Sequence, residues 1–291
     1  MRDDRVDLIK IIQKSFSRLS KGQKLIAQFI MNNYDKAAFM TASKLGNKVG
    51  VSESTVVRFA NALGYEGYPQ LQQELQELIK TKLTTVQRLE MSNDYTNEGA
   101  VLKKVLKEDM DNIKATIEEI DDDVFQNVVD SIFNAKRIYI IGLRSSSTLA
   151  EYLGFYLNLI LDNVKIVTPG VSDVFEQMLR VGKDDVVIGM SFPRYSANTL
   201  NAINFTKEKG ALVVGITDSK VSPIAAISDY TLIARSHMAS FVDSLVAPLS
   251  LINALVVAVG MREKSEIANT FNTLEHIWEK HNVYNDKNTI L

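Results

Sequence analysis

The sequence predicts two domains in series. The first is all-α and carries a helix-turn-helix pattern; the second is α/β, doubly wound and flavodoxin-like, with a five-stranded parallel sheet. Three observations predict this. Between Thr41 and Tyr65, TASKLGNKVGVSESTVVRFANALGY, two short amphipathic segments meet at a glycine. From Ile138 onward, five β-branched apolar runs recur about 20 to 27 residues apart with helical segments between them. Charge divides the chain as well: residues 1–88 hold 14 Lys and Arg against 8 Asp and Glu, and the remainder holds 19 against 27.

Ala42, Leu45 and Val49 fall three and four apart and form one apolar stripe. Gly50 ends that helix, because glycine reaches a left-handed backbone without steric cost. Ser52 restarts helix as a cap, its hydroxyl placed to accept a first-turn amide proton, and Val56, Ala60 and Leu63 carry the next buried stripe. Ser54, Arg58, Asn61 and Tyr65 are then left on one outer face. In a helix-turn-helix that face lies in the major groove, where arginine suits guanine, asparagine suits adenine, and hydroxyls such as those of Ser52, Ser54 and Thr55 suit phosphate. The basic balance of this end favours a polyanion, with Lys44, Lys48, Lys21 and Lys24 as backbone contacts. The bland alternative is a helical hairpin with an ordinary polar face.

Around that pair the spacing predicts a helix over Leu19–Asn33 with Leu19, Leu25, Ile26, Phe29 and Ile30 on its apolar face. It also predicts a helical turn at Asp35–Met40 and a helix from about 68 to 80. Residues 1–80 make the first domain. Residues 81–122 are expected as a connector, helical or extended over Lys80–Thr96 and helical over Glu98–Ile120. Asp121 to Asp123 then cap the next helix. The α/β domain takes 123–270, and 271–291 form a helical tail.

Composition narrows the chemistry. The 291 residues are 46% hydrophobic and include no cysteine, which excludes disulfides, thiolate catalysis and sulfur-ligated metals and suits a reducing cytoplasm. His237, His276 and His281 are too scattered for a metal site, and no cofactor is expected. MRDDRVDLIK lacks the apolar core of a signal peptide. Phe241–Met261 approaches membrane length but holds Asp243, Ser244, Pro248, Ser250 and Asn253, so it reads as a buried core helix and no membrane partner is expected.

In the α/β domain the runs RIYIIG (137–142), VKIVT (164–168), DVVIGMS (185–191), ALVVGIT (211–217) and YTLIA (230–234) read as parallel strands covered on both faces. Helices are expected at Ser146–Leu161 and Ser196–Lys209, the latter stopped by Gly210. Two strand ends share one chemistry. The first runs into Gly142, Leu143, Arg144, Ser145, Ser146, Ser147 and Thr148; the third into Ser191, Phe192, Pro193, Arg194, Tyr195, Ser196, Ala197, Asn198 and Thr199. Hydroxyls and free amides at helix starts suit a phosphate group. In a sheet ordered 2-1-3-4-5 both loops converge at the switch point. That order is an assumption here, and the competing reading is that these residues only cap two helices.

These residues resemble a known family. LSKGQKLIAQFI and TASKLGNKVGVSESTVVRFANALGYEGYPQLQQEL are similar to the helix-turn-helix domain of RpiR-type bacterial transcriptional regulators, and the second domain resembles the sugar isomerase (SIS) domain that follows it there. The phosphate-loop pattern glycine-x-glycine-x-serine-x-x-x-alanine falls on Gly142, Ser146 and Ala150, with Arg144 in place of the second glycine. The resemblance implies that Ser52–Leu63 is the recognition helix and that Ser146, Ser191 and Ser196 hold phosphate. Ser145, Ser147, Asn198 and Thr199 are their neighbours, and Arg194 and Tyr195 take part in recognition. It implies a cytoplasmic homodimer or homotetramer that binds double-stranded operator DNA and a phosphorylated sugar effector. The rival is an aldose-ketose isomerase with an accessory helical domain, for which Glu151, His237 and Asp243 are the candidate bases; they form no recognisable pair.

Overall fold

Gly50 turns the chain where the sequence places the break between two helices. The computed structural model describes residues 8–82, 86, 88, 98–238, 241–262 and 264–284, which fall into two compact units, Met1–Met91 and Ser92–Leu291. In the first unit, α1 (Leu8–Ser15) leads through a 3-10 turn at Phe16–Arg18 to α2 (Lys21–Asn32), α3 (Tyr34–Ala37), α4 (Ala42–Val49), α5 (Glu53–Ala62) and α6 (Tyr68–Lys82). Gly50 has φ 79°, and both it and Val51 donate backbone N–H groups to Gly46 O, closing α4. Ala42, Leu45, Val56, Ala60 and Leu63 are buried, as their spacing predicts, and Phe59 joins them as one of the largest fully buried side chains. The helix α1 was not anticipated; Leu8 and Ile12 bury one of its faces.

Four details differ from the sequence reading. Helix α2 begins at Lys21, because Ser20 and Gln23 form a reciprocal capping box that fixes the start. Leu25 is exposed, while Ala27 takes the core position beside Ile26 and Ile30. Ser52 does stand at the N-cap of α5, but its hydroxyl is bonded to Ser54 Oγ and Thr55 Oγ1, each at 2.9 Å, and caps no amide. Tyr65 lies beyond the end of α5, after the left-handed Gly64 (φ 95°), and is half-buried.

Helix α6 completes the unit by supplying donors to backbone carbonyls left over around the end of α3. Tyr68 Oη donates to Met40 O (2.7 Å), Gln72 Nε2 to Ala38 O (3.0 Å) and Met40 O (3.1 Å), and Gln76 Nε2 to Ala38 O (3.1 Å). These donors sit four residues apart, on one helix face.

The second unit opens with α7 (Glu98–Glu119) and α8 (Asp122–Asn134), the latter capped by Asp121. Next come β1 (Ile138–Gly142), α9 (Ser146–Ile160), β2 (Val164–Val167), α10 (Val174–Gln177), β3 (Val186–Met190), α11 (Ala197–Glu208), β4 (Leu212–Thr217) and β5 (Tyr230–Ile233). Then follow α12 (Val246–Gly260) and α13 (Lys264–Lys280). The five strands are all parallel in the order β2-β1-β3-β4-β5. Alternate residues face two cores: Ile138, Ile140, Ile188 and Met190 pack with α8, α9 and α12, and Tyr139, Ile141 and Val187 with α10 and α11. Gly210, at φ 82°, ends the stretch after α11. The connector expected over Lys80–Thr96 lies largely outside the described residues, as does the end of the tail from 285. Among the described residues no helix is long and apolar enough to cross a membrane.

Burial pushes the Tyr68 hydroxyl up to about 12, and burial together with the Glu74 carboxylate does the same for Tyr65. Between about pH 10 and 12 the unfolded phenols therefore ionise while the folded ones keep their protons, so stability falls as pH rises through that window. Denaturant titration of Tyr68→Phe should show a shallower loss there, alongside a cost of about 1 kcal/mol at neutral pH from the lost hydrogen bond.

Candidate functional site

Helix α5 presents its polar residues outward. Ser52, Ser54, Arg58 and Asn61 are exposed, Thr55 is half-buried, and on α4 Lys44 and Lys48 are exposed. Arg58 Nε donates to Ser54 O (3.2 Å), which lays the guanidinium along the helix, and Gln23 Nε2 donates to Arg58 O (3.2 Å), which ties α5 to the start of α2. Lys24 lies over the Phe16 ring, its Nζ 5.8 Å from the centroid, while Lys21 stays exposed. The face thus carries a guanidinium, an amide and a hydroxyl cluster, groups that match base edges and phosphates. Tyr65 is not part of it.

In the second unit the strand order makes β1 and β3 neighbours, with Gly142 opposite Met190 at their carboxyl ends. Both following loops therefore leave the same edge of the sheet. Each begins with a buried apolar anchor, Leu143 in the first and Phe192 in the second. Each then passes through an arginine in the left-handed region, Arg144 at φ 61° and Arg194 at φ 64°. The arginine that replaces the pattern's second glycine keeps the backbone conformation a glycine would take, at a strain of about 1–2 kcal/mol. Both arginines are exposed.

The first loop leads into α9. A Cβ at Gly142 would run into the backbone carbonyl of Ser146, so the bare glycine is what lets the helix start close against the strand end. Ser145 takes the N-cap position but its side chain caps no amide; Ser147 N bonds Arg144 O (3.0 Å), and Thr148 Oγ1 donates to Ser145 O (2.8 Å). Ser146 is buried and Ser147 half-buried. The second loop leads into α11, which Ser196 caps by accepting from Thr199 N (3.3 Å), while Ser196 N donates to Ser191 Oγ (3.3 Å). Capping therefore accounts for Ser196 and not for Ser145. Asn198 is exposed, and the fully buried Thr199 Oγ1 has no hydrogen-bond partner among the described residues, an unmet need at the helix start.

Two residues at the end of β4 escaped the sequence reading. Thr217 Oγ1 donates to Ser191 O (2.8 Å), and Tyr195 Oη donates to Asp218 Oδ1 (2.9 Å), with Asp218 only 1% exposed. Together they fasten the second loop to the neighbouring strand. The signal was present, since Thr217, Asp218 and Ser219 directly follow an apolar run and so stand at the ligand edge of a doubly wound sheet. The candidate bases stand on two segments, α9 and the stretch between β5 and α12. Glu151 is exposed on α9, His237 is exposed with its backbone held by Asn112, and Asp243 precedes α12. Among the described residues no group of three or more histidine and carboxylate side chains could hold a metal.

Fold and sites together define a helix-turn-helix protein with a doubly wound α/β domain behind it. Residues 6–82 match the model of the helix-turn-helix domain of the rpiR family, and residues 131–258 match that of the SIS domain. A curated relative, an uncharacterized HTH-type transcriptional regulator of Clostridium perfringens, is 25% identical over 247 residues, covering 83% of this chain and 88% of that protein. The sugar isomerase domain of an RpiR transcription factor from Sphaerobacter thermophilus superposes with a TM-score of 0.59 at 25% identity, over 61% of this chain and 99% of that one. The NanR protein of Vibrio vulnificus, solved in complex with ManNAc-6P, superposes with a TM-score of 0.57 at 20% identity, over 94% of this chain and 98% of that one. The chain belongs to the RpiR-type transcriptional regulators, with a helix-turn-helix domain followed by a SIS domain.

Two substitutions separate fold from site. Gly142→Ala should destabilise the second unit by about 1–3 kcal/mol, because the added Cβ meets backbone and not a movable side chain. Ser196→Ala should cost about 1 kcal/mol through loss of the cap. Thermal unfolding reads both.

Proposed function

We propose that this chain is a cytoplasmic regulator of carbohydrate metabolism that reads operator DNA with α5 and senses a phosphorylated sugar between the two strand-end loops. The observation that carries the reading is the adjacency of β1 and β3, which brings two hydroxyl-rich helix starts to one edge of the sheet. Ser146, Ser191 and Ser196 hold the phosphate in this reading, with Thr199 completing its shell and Ser145, Ser147 and Asn198 around it. In this reading Arg144 and Arg194, each on a left-handed turn of its loop, add positive charge beside the phosphate site. The fold shared with NanR, whose structure holds ManNAc-6P, supports a phosphorylated sugar as the ligand class.

On DNA, Arg58 and Asn61 take base edges, while Ser52, Ser54, Thr55, Lys44 and Lys48 take phosphates. A dimer places two recognition helices about 34 Å apart, one duplex turn, on a roughly palindromic site. The ligand acts by linkage. It changes operator affinity only as far as it binds the DNA-competent and DNA-incompetent arrangements differently, typically by about 1–3 kcal/mol. The domains in this reading are 1–80 for DNA, 81–122 as connector, 123–270 for the ligand and 271–291 as tail. In this reading the chain is a regulator, and no turnover is assigned to Glu151 on α9 or to His237 and Asp243, which share the segment between β5 and α12.

Selection of the operator from random duplexes, followed by gel-shift titration, tests the DNA half. Arg58→Ala should weaken operator binding by about 1–3 kcal/mol with ligand binding intact; unchanged operator affinity removes α5 from the interface. Ser191→Ala should leave operator affinity intact and blunt the response to glucose 6-phosphate, N-acetylmannosamine 6-phosphate or ribose 5-phosphate, whichever raises the melting temperature of the wild-type chain. A normal response in that variant defeats the proposed pocket, and isomerisation of any of these esters by the wild type defeats the regulator-only reading.

A further inference from the structure

The end of β5 reaches the same edge of the sheet as the two serine loops, and one of its side chains is unexplained. Ala234 N donates to Thr217 O (2.8 Å), prolonging the β4–β5 pairing past the strand. The next residues are fastened to α7. Arg235 N donates to Thr116 Oγ1 (2.9 Å) and the Arg235 guanidinium pairs with Glu119. His237 N donates to Asn112 Oδ1 (2.9 Å), and Asn112 Nδ2 donates to His237 O (3.0 Å). Asn112 and Thr116 are buried and lie one helical turn apart, with Thr116 Oγ1 donating to Asn112 O (2.8 Å). Between the two anchored residues stands Ser236. It is 5% exposed, and its Oγ has no hydrogen-bond partner among the described residues.

A buried hydroxyl without a partner forfeits its hydration for nothing, so protein interiors seldom keep one. Replacement by alanine would remove the cost without changing the backbone. The clamped backbone on either side fixes the position of Ser236 and leaves its hydroxyl only rotation about χ1.

We propose that Ser236 Oγ hydrogen-bonds the carbohydrate portion of the effector, at the end remote from its phosphate. The inference rests on the phosphorylated-sugar reading of the two serine loops. Neighbouring strands lie about 4.8 Å apart, so β5 stands about 10 Å from β3 along the edge. A phosphate seated at the β1 and β3 loops does not span that distance, whereas the hydroxyls of its five- or six-carbon sugar extend along it. Ser236 thereby selects for the sugar and not for the anion. Because Arg235 and His237 are bonded to α7, a ligand that engages Ser236 also loads the first described helix after the amino-terminal unit.

Calorimetric titration of the full chain and of Ser236→Ala tests this, with inorganic phosphate, glucose 6-phosphate, N-acetylmannosamine 6-phosphate and ribose 5-phosphate as probes. Whichever ester binds the wild type should bind the variant about three- to tenfold more weakly, the worth of one neutral hydrogen bond, with phosphate affinity changed by less than about twofold. The melting temperature should not fall, since the substitution removes an unsatisfied group. Equal ester affinity in variant and wild type overturns the Ser236 assignment and leaves the phosphate pocket standing. A lower melting temperature with equal losses for phosphate and ester overturns it too, marking Ser236 as a folding residue. Failure of the wild type to bind any ester overturns the pocket itself, and this inference with it.

Discussion

The pairing of β1 with β3 is the constraint on which the second unit depends. Its register runs from Ile138 opposite Val186 to Gly142 opposite Met190, and Arg137 joins the two strands just before their amino ends. That guanidinium meets the buried Asp185 carboxylate through two nitrogens, Nε to Oδ1 at 3.0 Å and Nη2 to Oδ2 at 2.8 Å. A one-residue slip would turn every strand residue to the opposite core. It would also separate Gly142 from Met190 and so part the two loops. The placement of the two loops at the carboxyl edge thus depends on the register of the strands beneath them.

The first unit solves a different problem. Its helices are short, and the sharp passage from α3 to α4 leaves carbonyls that no helix of their own can satisfy. Tyr68, Gln72 and Gln76 answer them from one face of α6, so the polar groups of the turn are met inside the unit. In the second unit Thr217 and Asp218 fasten the second loop to the end of β4, through Ser191 O and Tyr195 Oη.

Much of this was legible in the residues. Periodicity placed α4, α5 and the five strands to within a residue or two, because a buried stripe at three-and-four spacing and a continuous β-branched run have few other uses. Gly50 and Gly210 marked their turns correctly, since only glycine reaches those angles cheaply. The errors have physical causes. Ser52 was read as a cap because serine commonly caps, yet Ser54 and Thr55 offered its hydroxyl better-placed partners. Tyr65 was placed on the outer face by extending the helical period past Ala62, where Gly64 breaks it. Leu25 shares the helical spacing of the apolar face yet is exposed, because only neighbouring helices decide how much of an apolar stripe is covered.

By itself the sequence determined what is local: where helices start and stop, which runs are buried strands, and that two hydroxyl-rich loops each open a helix. Covalent neighbours and short-range sterics suffice for those features. Tertiary structure alone decided that β1 and β3 are adjacent, that Arg144 takes up a glycine's backbone angle, and that Asp218 and Ser236 join the same edge. Strand order and long-range hydrogen bonds depend on how whole layers pack, and residues far apart in the chain carry no mark of one another until the sheet brings them together.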